Sequence, residues 1–571
     1  MAGPSQHRCP TETGIDRERT GLLVGLLLVV PMALAAGCGS DGGSQPVGGG
    51  GAGGGSTGGV GGGGSGGVGG GGSGGVGGTG GTPVALSGCA GRLEPVPPSG
   101  ALRVVGTGTP ASCDEPALRD AVDAVVAAGS GTVTFDCGGV HVITVTSQLE
   151  IASDPNGAVV IDGDGGGGGL ITISGGSTTR VFDLANHTNF VAQRLTISDG
   201  FVAAGEPEEP NTPPDSGAAI RHPWFGTLKA IDVSFRNNHC AGRQGEIGGG
   251  AIFAGGLTEA VLSGCTFENN TASNGGGLLN RGTTLTIIDC NFTGNGALST
   301  GQGQFGNGGG VYIDGMNYEN PGGDLLVCGT WFQGNTAMTH GSAMFSYFYE
   351  GSESVIQNSV FDGNLFGEAG SGSGALYSEA APLTLTGTTF SNHTTGEHAG
   401  GLFLGQNSVA DITNCTFANN RVTGNGAGLF NGAATAHFTN CTFSGNDADY
   451  GPAIFKGQNA VVTLKNTLFA NNTTANQYSA TSCHEAMADE GGNMQWPSVK
   501  ASGNPDQPCV DGITFADPRL LPLDNNGGVS QTFALGAGSP AIDFGSGCPD
   551  TDQRGMPRSE PCDTGAFEVQ P

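Results

Sequence analysis

From residue 217 to 472 the chain repeats one arrangement of small, apolar and polar positions. A small-small-apolar step recurs, as in Gly250-Ala251-Ile252, Gly276-Gly277-Leu278, Gly309-Gly310-Val311, Gly400-Gly401-Leu402 and Ala427-Gly428-Leu429. About 15 residues later an aromatic stands three places before an amide: Phe235/Asn238, Phe267/Asn270, Phe292/Asn295, Phe332/Asn335, Phe361/Asn364, Phe417/Asn420, Phe443/Asn446 and Phe469/Asn472. Phe390 is followed instead by His393. Successive Phe are 32, 25, 40, 29, 29, 27, 26 and 26 residues apart, so the variation falls in loops. A unit near 26 residues, built from short strands with almost no helical periodicity, predicts a parallel β-solenoid whose coils stack at about 4.8 Å.

Side chains two apart on a strand share a face. Cys265 and Phe267, Cys290 and Phe292, Cys415 and Phe417, and Cys441 and Phe443 are therefore expected to point inward, as a Cys ladder beside a Phe ladder. The residues flanking each Phe are expected to point outward. Asn three places after Phe falls where the strand turns, and stacked amides there satisfy backbone groups that would otherwise be unpaired. These Asn are read as structural. Upstream, Leu118, Ala121, Val122, Val125 and Val126 recur at helical spacing, predicting an amphipathic helix that caps the solenoid and hides its open edge. About twelve coils give a rod of roughly 60 Å.

Composition narrows the partners. The 571 residues include 111 Gly, and 20 Lys plus Arg stand against 50 Asp plus Glu, for a net charge of −30. That excludes a nucleic-acid binder, which needs a basic surface. No Cys/His spacing suggests a metal site, and no cofactor is implied.

Gly21 to Ala36 is a short apolar run suited to a signal-peptide core. It leads into Ala35-Ala36-Gly37-Cys38, which resembles a bacterial lipobox. The resemblance implies cleavage before Cys38, lipidation of its thiol and a membrane partner through the anchor. Residues 39–82 hold 28 Gly in 44 positions, a flexible coil with a reach of roughly 35–40 Å. Gly39 after the lipidated Cys suits export to the outer membrane or cell surface. Of 15 Cys, Cys9 leaves with the signal and Cys38 carries lipid. The remaining 13 face an oxidising compartment and cannot all pair. Cys113 with Cys137, Cys483 with Cys509, and Cys548 with Cys562 are plausible bridges.

The paired marks, GGA with a following aliphatic and F-x-x-N, resemble the repeats of the polymorphic outer-membrane proteins, right-handed parallel β-helices related in fold to pectin lyases. Gly538-Ser539-Pro540-Ala541-Ile542-Asp543, Thr551-Asp552-Gln553-Arg554-Gly555 and Cys562-Asp563-Thr564-Gly565-Ala566-Phe567-Glu568 resemble the closing motif of bacterial surface β-helix proteins. Nothing after Ile542 offers the alternating strands of an autotransporter barrel. The expected fold is thus all-β, a right-handed parallel β-helix with an N-terminal capping helix. The expected organisation is a signal peptide at 1–37, a tether at 38–85, the β-helix at 100–480, and C-terminal coils with a disulfide-stapled closing segment at 481–571.

Two functions compete. A pectin-lyase-like fold suggests a polysaccharide lyase or glycoside hydrolase, which needs clustered carboxylates. Glu268 and Asp362 are the two acids directly after a Phe, but they lie three coils apart, about 14 Å, and Arg221-His222-Pro223 is a slender hint. Binding or adhesion at the cell surface fits better. Irregular coils around the 40-residue interval bring Tyr312, Trp331, Tyr347 and Tyr377 into one region with Tyr318 and Tyr349, a candidate shelf for polysaccharide or surface glycan.

Overall fold

The computed structural model describes residues 88–571 except 165–170, 206–214, 243–246, 299–305, 316–322, 349–350 and 368–371. Cys38, the signal segment, the tether, Tyr318 and Tyr349 lie outside the described residues. The described chain is an all-β right-handed parallel β-helix. One coil shows its plan: Leu278–Arg281, Leu285–Ile288, Asn291–Thr293 and Gly296–Ala297 are successive strands, and each pairs in parallel with its counterpart one coil on. Stacking builds four sheets. Sheet I, containing Leu285–Ile288, and sheet II, containing Asn291–Thr293, each have 14 strands; sheet III, containing Gly296–Ala297, has 8; sheet IV, containing Leu278–Arg281, has 11.

The corners explain the Gly/Asn/Asp content. Each F-x-x-N turn places its third residue at positive φ, and that residue is always Asn or Gly: Asn237, Asn269, Gly294, Gly334, Gly363, Asn392, Asn419, Gly445 and Asn471. Asn tolerates the left-handed region better than other non-Gly residues. Before the small-small-apolar step the demand is stricter. Gly249 has φ +68, and a Cβ there would lie 1.9 Å from the carbonyl oxygen of Ile252. At Gly334, φ +61, nothing lies within 4 Å of that position. Gly249→Ala is therefore expected to lower stability by about 2 kcal/mol or more, the left-handed penalty plus a displaced backbone, whereas Gly334→Asn stays near neutral. Equal melting temperatures for the two variants would refute this account of the corners.

The inward ladders form. Nine Phe from Phe235 to Phe469 stack with ring centroids 4.4–5.4 Å apart. The cysteines prove to be one variant of a more general column. Cys265 Sγ donates to the carbonyl of Ala230 at 3.2 Å and Cys290 Sγ to that of Ile288 at 3.3 Å. In the coils between Cys290 and Cys415 the place is held by Thr330, Ser359 and Thr388, whose hydroxyls donate to the carbonyls of Cys328, Gln357 and Thr386 at 3.2, 2.8 and 3.0 Å. A small hydrogen-bond donor is what the column requires, so the Cys ladder is interrupted.

The capping helix α1, Glu115–Ala127, buries Leu118, Ala121, Val122 and Val125. Asp114 caps it by accepting from the Ala117 N–H at 2.9 Å, and Glu115 pairs with Arg119 one turn on. The expected bridges Cys113–Cys137, Cys483–Cys509 and Cys548–Cys562 are present, and a fourth joins Cys89 to Cys328 across 239 residues. Cys240, Cys265, Cys290, Cys415 and Cys441 are free and buried.

Two straps run along the outside. Residues 89–99 lie over sheet I: Arg92 pairs with Asp289 and Asp232 at 3.3 and 2.9 Å, the Leu93 N–H meets Ser263 Oγ at 2.9 Å, and the Val96 N–H meets Gln193 Oε1 at 2.8 Å. The closing segment adds coil strands only as far as Thr514–Phe515, then forms an antiparallel hairpin, Leu520–Asp524 with Thr532–Leu535, and turns back over sheet II. Ser530 Oγ donates to the Gly387 carbonyl at 2.7 Å, Thr389 Oγ1 to the Gln531 carbonyl at 2.6 Å, and Thr416 Oγ1 to Gln553 Oε1 at 2.6 Å. Thus Val360, Thr389, Thr416, Thr442 and Leu468, expected on an exposed outer face, are buried. The Asp552-Gln553-Arg554-Gly555 stretch is a structural clasp. Arg554 pairs with Asp552 at 2.6 Å and covers the Phe567 ring, while Arg558 pairs with Glu568 at 3.1 Å in near-complete burial.

Candidate functional site

The four candidate aromatics do not form one shelf. Trp331 lies on sheet II, whereas Tyr312, Tyr347 and Tyr377 lie on sheet IV. Tyr312 and Tyr377 belong to a continuous outer ring stack of Tyr312, Phe345, Tyr377, Phe403, Phe430 and Phe455, at spacings of 4.5–5.2 Å and interplanar angles of 6–17°. The rings of His340, His398 and His484 flank it, within 4.5–5.0 Å of Tyr377, Phe430 and Phe455. Tyr377, with Phe345 on one side and Phe403 on the other, has no face left for a sugar and shows only its edge, whereas Tyr312 ends the stack with one face on Phe345. Tyr377 is further committed, because its hydroxyl donates to Glu379 Oε2 at 2.5 Å; burial and that carboxylate push its pKa up. Tyr347 stands in the adjacent outer row between Asp314 and Glu379. Burial and those two carboxylates raise its pKa as well.

Trp331 keeps its surface. It is 37% exposed, beside the exposed Asn291, Thr293 and Gln333, with Gln333 Nε2 donating to Asp362 Oδ2 at 3.3 Å. One coil further on, Val360 is already buried. Trp331 therefore marks the margin of the open part of sheet II, with an indole, two amides, a hydroxyl and a carboxylate within two or three coils. Spacing could have located this margin only if the path of the closing segment were known.

The remaining candidates resolve as scaffold. His222 is buried with both ring nitrogens against carbonyls, those of Pro223 and Thr188 at 3.0 and 2.8 Å, and burial lowers its pKa. Arg221 lies 3.2 Å from Asp183. Glu268 pairs with Arg236 at 3.4 Å. Among the described residues no group of three or more His, Cys, Asp or Glu side chains is placed to share a metal ion.

The amide column is hydrogen-bonded from coil to coil. Each backbone N–H from Asn238 to Asn335 reaches the next Asn Oδ1 at 2.9–3.0 Å, and each Nδ2 reaches the same oxygen at 2.9–3.0 Å. At the break, His393 Nδ1 accepts from the Asn364 N–H at 3.0 Å, and Nε2 is left without a normal hydrogen bond. Burial pushes the His393 pKa down to about 4. The unfolded chain, with His near 6.5, binds this proton first, so stability is full above pH 6.5 and falls as pH drops toward about 4, by at most ~1.4 kcal/mol per pH unit. His393→Asn is expected to flatten that part of the stability-versus-pH curve. An unchanged curve would remove His393 as its cause.

A family model described as a right handed beta helix region matches residues 305–474. Among solved structures, the crystal structure of PfbA, a surface adhesin of Streptococcus pneumoniae, aligns with 76% of this chain and 100% of that chain, at 10% identity and a TM-score of 0.34. No curated protein matches the chain. The class of protein is thus a right-handed parallel β-helix, with the family match lying in its central coils.

Proposed function

We propose that the protein is a lipid-anchored surface rod that binds or adheres, with Cys38 as the lipid attachment and the Gly-rich segment before residue 85 as its tether. The observation that carries this reading is the sequence itself, an apolar run ending in Ala35-Ala36-Gly37-Cys38 and followed by a segment too Gly-rich to build a core. The resemblance to polymorphic outer-membrane protein repeats supports an outer-surface address. For the contact with polysaccharide we assign Trp331, the most exposed of the four candidates, together with Asn291, Thr293 and Gln333. Tyr347 offers a second, separate contact; Tyr377 contributes a ring edge only, and Tyr312, at the end of the stack, has one face on another ring. A net charge of −30 favours neutral or cationic glycans over polyanions.

Two measurements test the reading. Cys38→Ser is expected to move the protein from membrane to soluble fractions or to block its processing. On an array of glycans without acetamido sugars, Trp331→Ala is expected to lose the signal of the intact chain. Unchanged partitioning removes the anchor, binding on that array that survives Trp331→Ala removes the site, and turnover of any polymer makes the rod an enzyme.

A further inference from the structure

The amide column has a last rung. Asn446 sends its N–H to Asn472 Oδ1 at 3.0 Å, but no amide stands one coil beyond Asn472. Its Nδ2 donates to the Phe443 carbonyl at 3.0 Å, and the residue is 2% exposed. Its backbone N–H has no acceptor among the described residues. Buried backbone N–H groups without a partner are rare, and each calls for an explanation such as strain, a water or a ligand. By register Ser498 takes the place of the next rung, and beside it residues 471–477 and 497–502 frame a cleft of about 490 Å³, a volume suited to a small ligand.

The lining identifies the ligand. Ala475, Pro497 and Val499 are its apolar lining residues, and Thr473, Thr474, Asn476, Gln477 and Ser502 stand at the same cleft. No carboxylate lines it, in a chain with 50 acids. The one cation among the lining residues, Lys500, donates to the Ser479 carbonyl at 2.6 Å. Every earlier Asn rung presents an uncharged amide oxygen to the preceding N–H, and the cleft adds small apolar surface around that point. We propose that it binds an acetamido sugar, an N-acetylhexosamine. The acetamide carbonyl accepts from the Asn472 N–H as an amide rung would, the methyl packs on Ala475 and Val499, and sugar hydroxyls meet Asn476, Gln477 and Ser502. This site lies away from Trp331 and stands without the reading given there.

The test uses the full chain with N-acetylglucosamine, N-acetylgalactosamine and glucose in saturation-transfer NMR, and hydrogen exchange of the peptide containing Asn472. Strong transfer to the acetyl methyl of at least one amino sugar, none to glucose, and slowed exchange at Asn472 are expected. Ala475→Trp or Ser502→Trp, on opposite lips and both at exposed positions, should weaken binding at least tenfold with an unchanged melting temperature, whereas Trp331→Ala should leave it intact. Equal transfer to glucose overturns the proposal. So does binding that survives both cleft-filling variants, and so does no transfer at millimolar sugar, which would make the cleft a hydration site.

Discussion

Replacing Phe267 by Ala is expected to destabilise the rod by about 3–5 kcal/mol, the range for removing a fully buried Phe and leaving a cavity. Its ring is stacked between Phe235 and Phe292 at 4.7 and 4.4 Å, and it has no solvent exposure. The loss therefore combines transfer of the ring to water with two broken ring contacts, each worth about 0.5–1.5 kcal/mol. Phe430 in the outer stack has rings on both sides at similar spacing but is only partly buried, so Phe430→Ala should cost less than half as much. Urea midpoints for both variants decide the matter. Equal losses would mean that the inner and outer ladders contribute alike and that burial is not what distinguishes them.

Removing the Cys89–Cys328 bridge is the second large effect. The bridge closes a loop across 239 residues, and loss of a native disulfide of this kind is expected to destabilise by about 2–5 kcal/mol. The effect should be concentrated in the strap. Arg92 is held by Asp232 and Asp289, and the backbone around it is bonded to Ser263 and Gln193. In the Cys89→Ser/Cys328→Ser variant these partly exposed pairs, individually weak, must hold the strap alone. Trypsin should then cut after Arg92 while the coils stay resistant. Continued protection at Arg92 would show that hydrogen bonding along sheet I suffices. In the intact chain the bridge fixes Cys89 beside the coil of Cys328, well inside the stack of sheet I and away from the capping helix.

The coil plan was legible because its causes are local. Alternation sets which side chains enter the core, and the F-x-x-N spacing marks a turn that needs a left-handed residue and an amide acceptor. Leu118, Ala121, Val122 and Val125 betrayed α1 by their period, for the same reason. The column shared by Cys265, Thr330 and Ser359 was equally available, as a small donor two places before each Phe from Phe267 to Phe469, but Cys, with its redox chemistry, masked the hydroxyls doing the same job.

What the sequence by itself determined was the repeat: strand, corner, ladder and cap, each specified within one coil by neighbouring residues. Only the tertiary structure decided what covers the rod. The strap at 89–99 and the closing segment after Leu520 carry no period, and their partners lie up to 239 residues away at Cys328 and 164 at Thr389. That return path buried Thr389 and Thr416, left Trp331 open at its margin, and could not be read from spacing. Stacking likewise took both faces of Tyr377 and one of Tyr312, because whether an outer ring meets solvent or another ring depends on the residue one coil away.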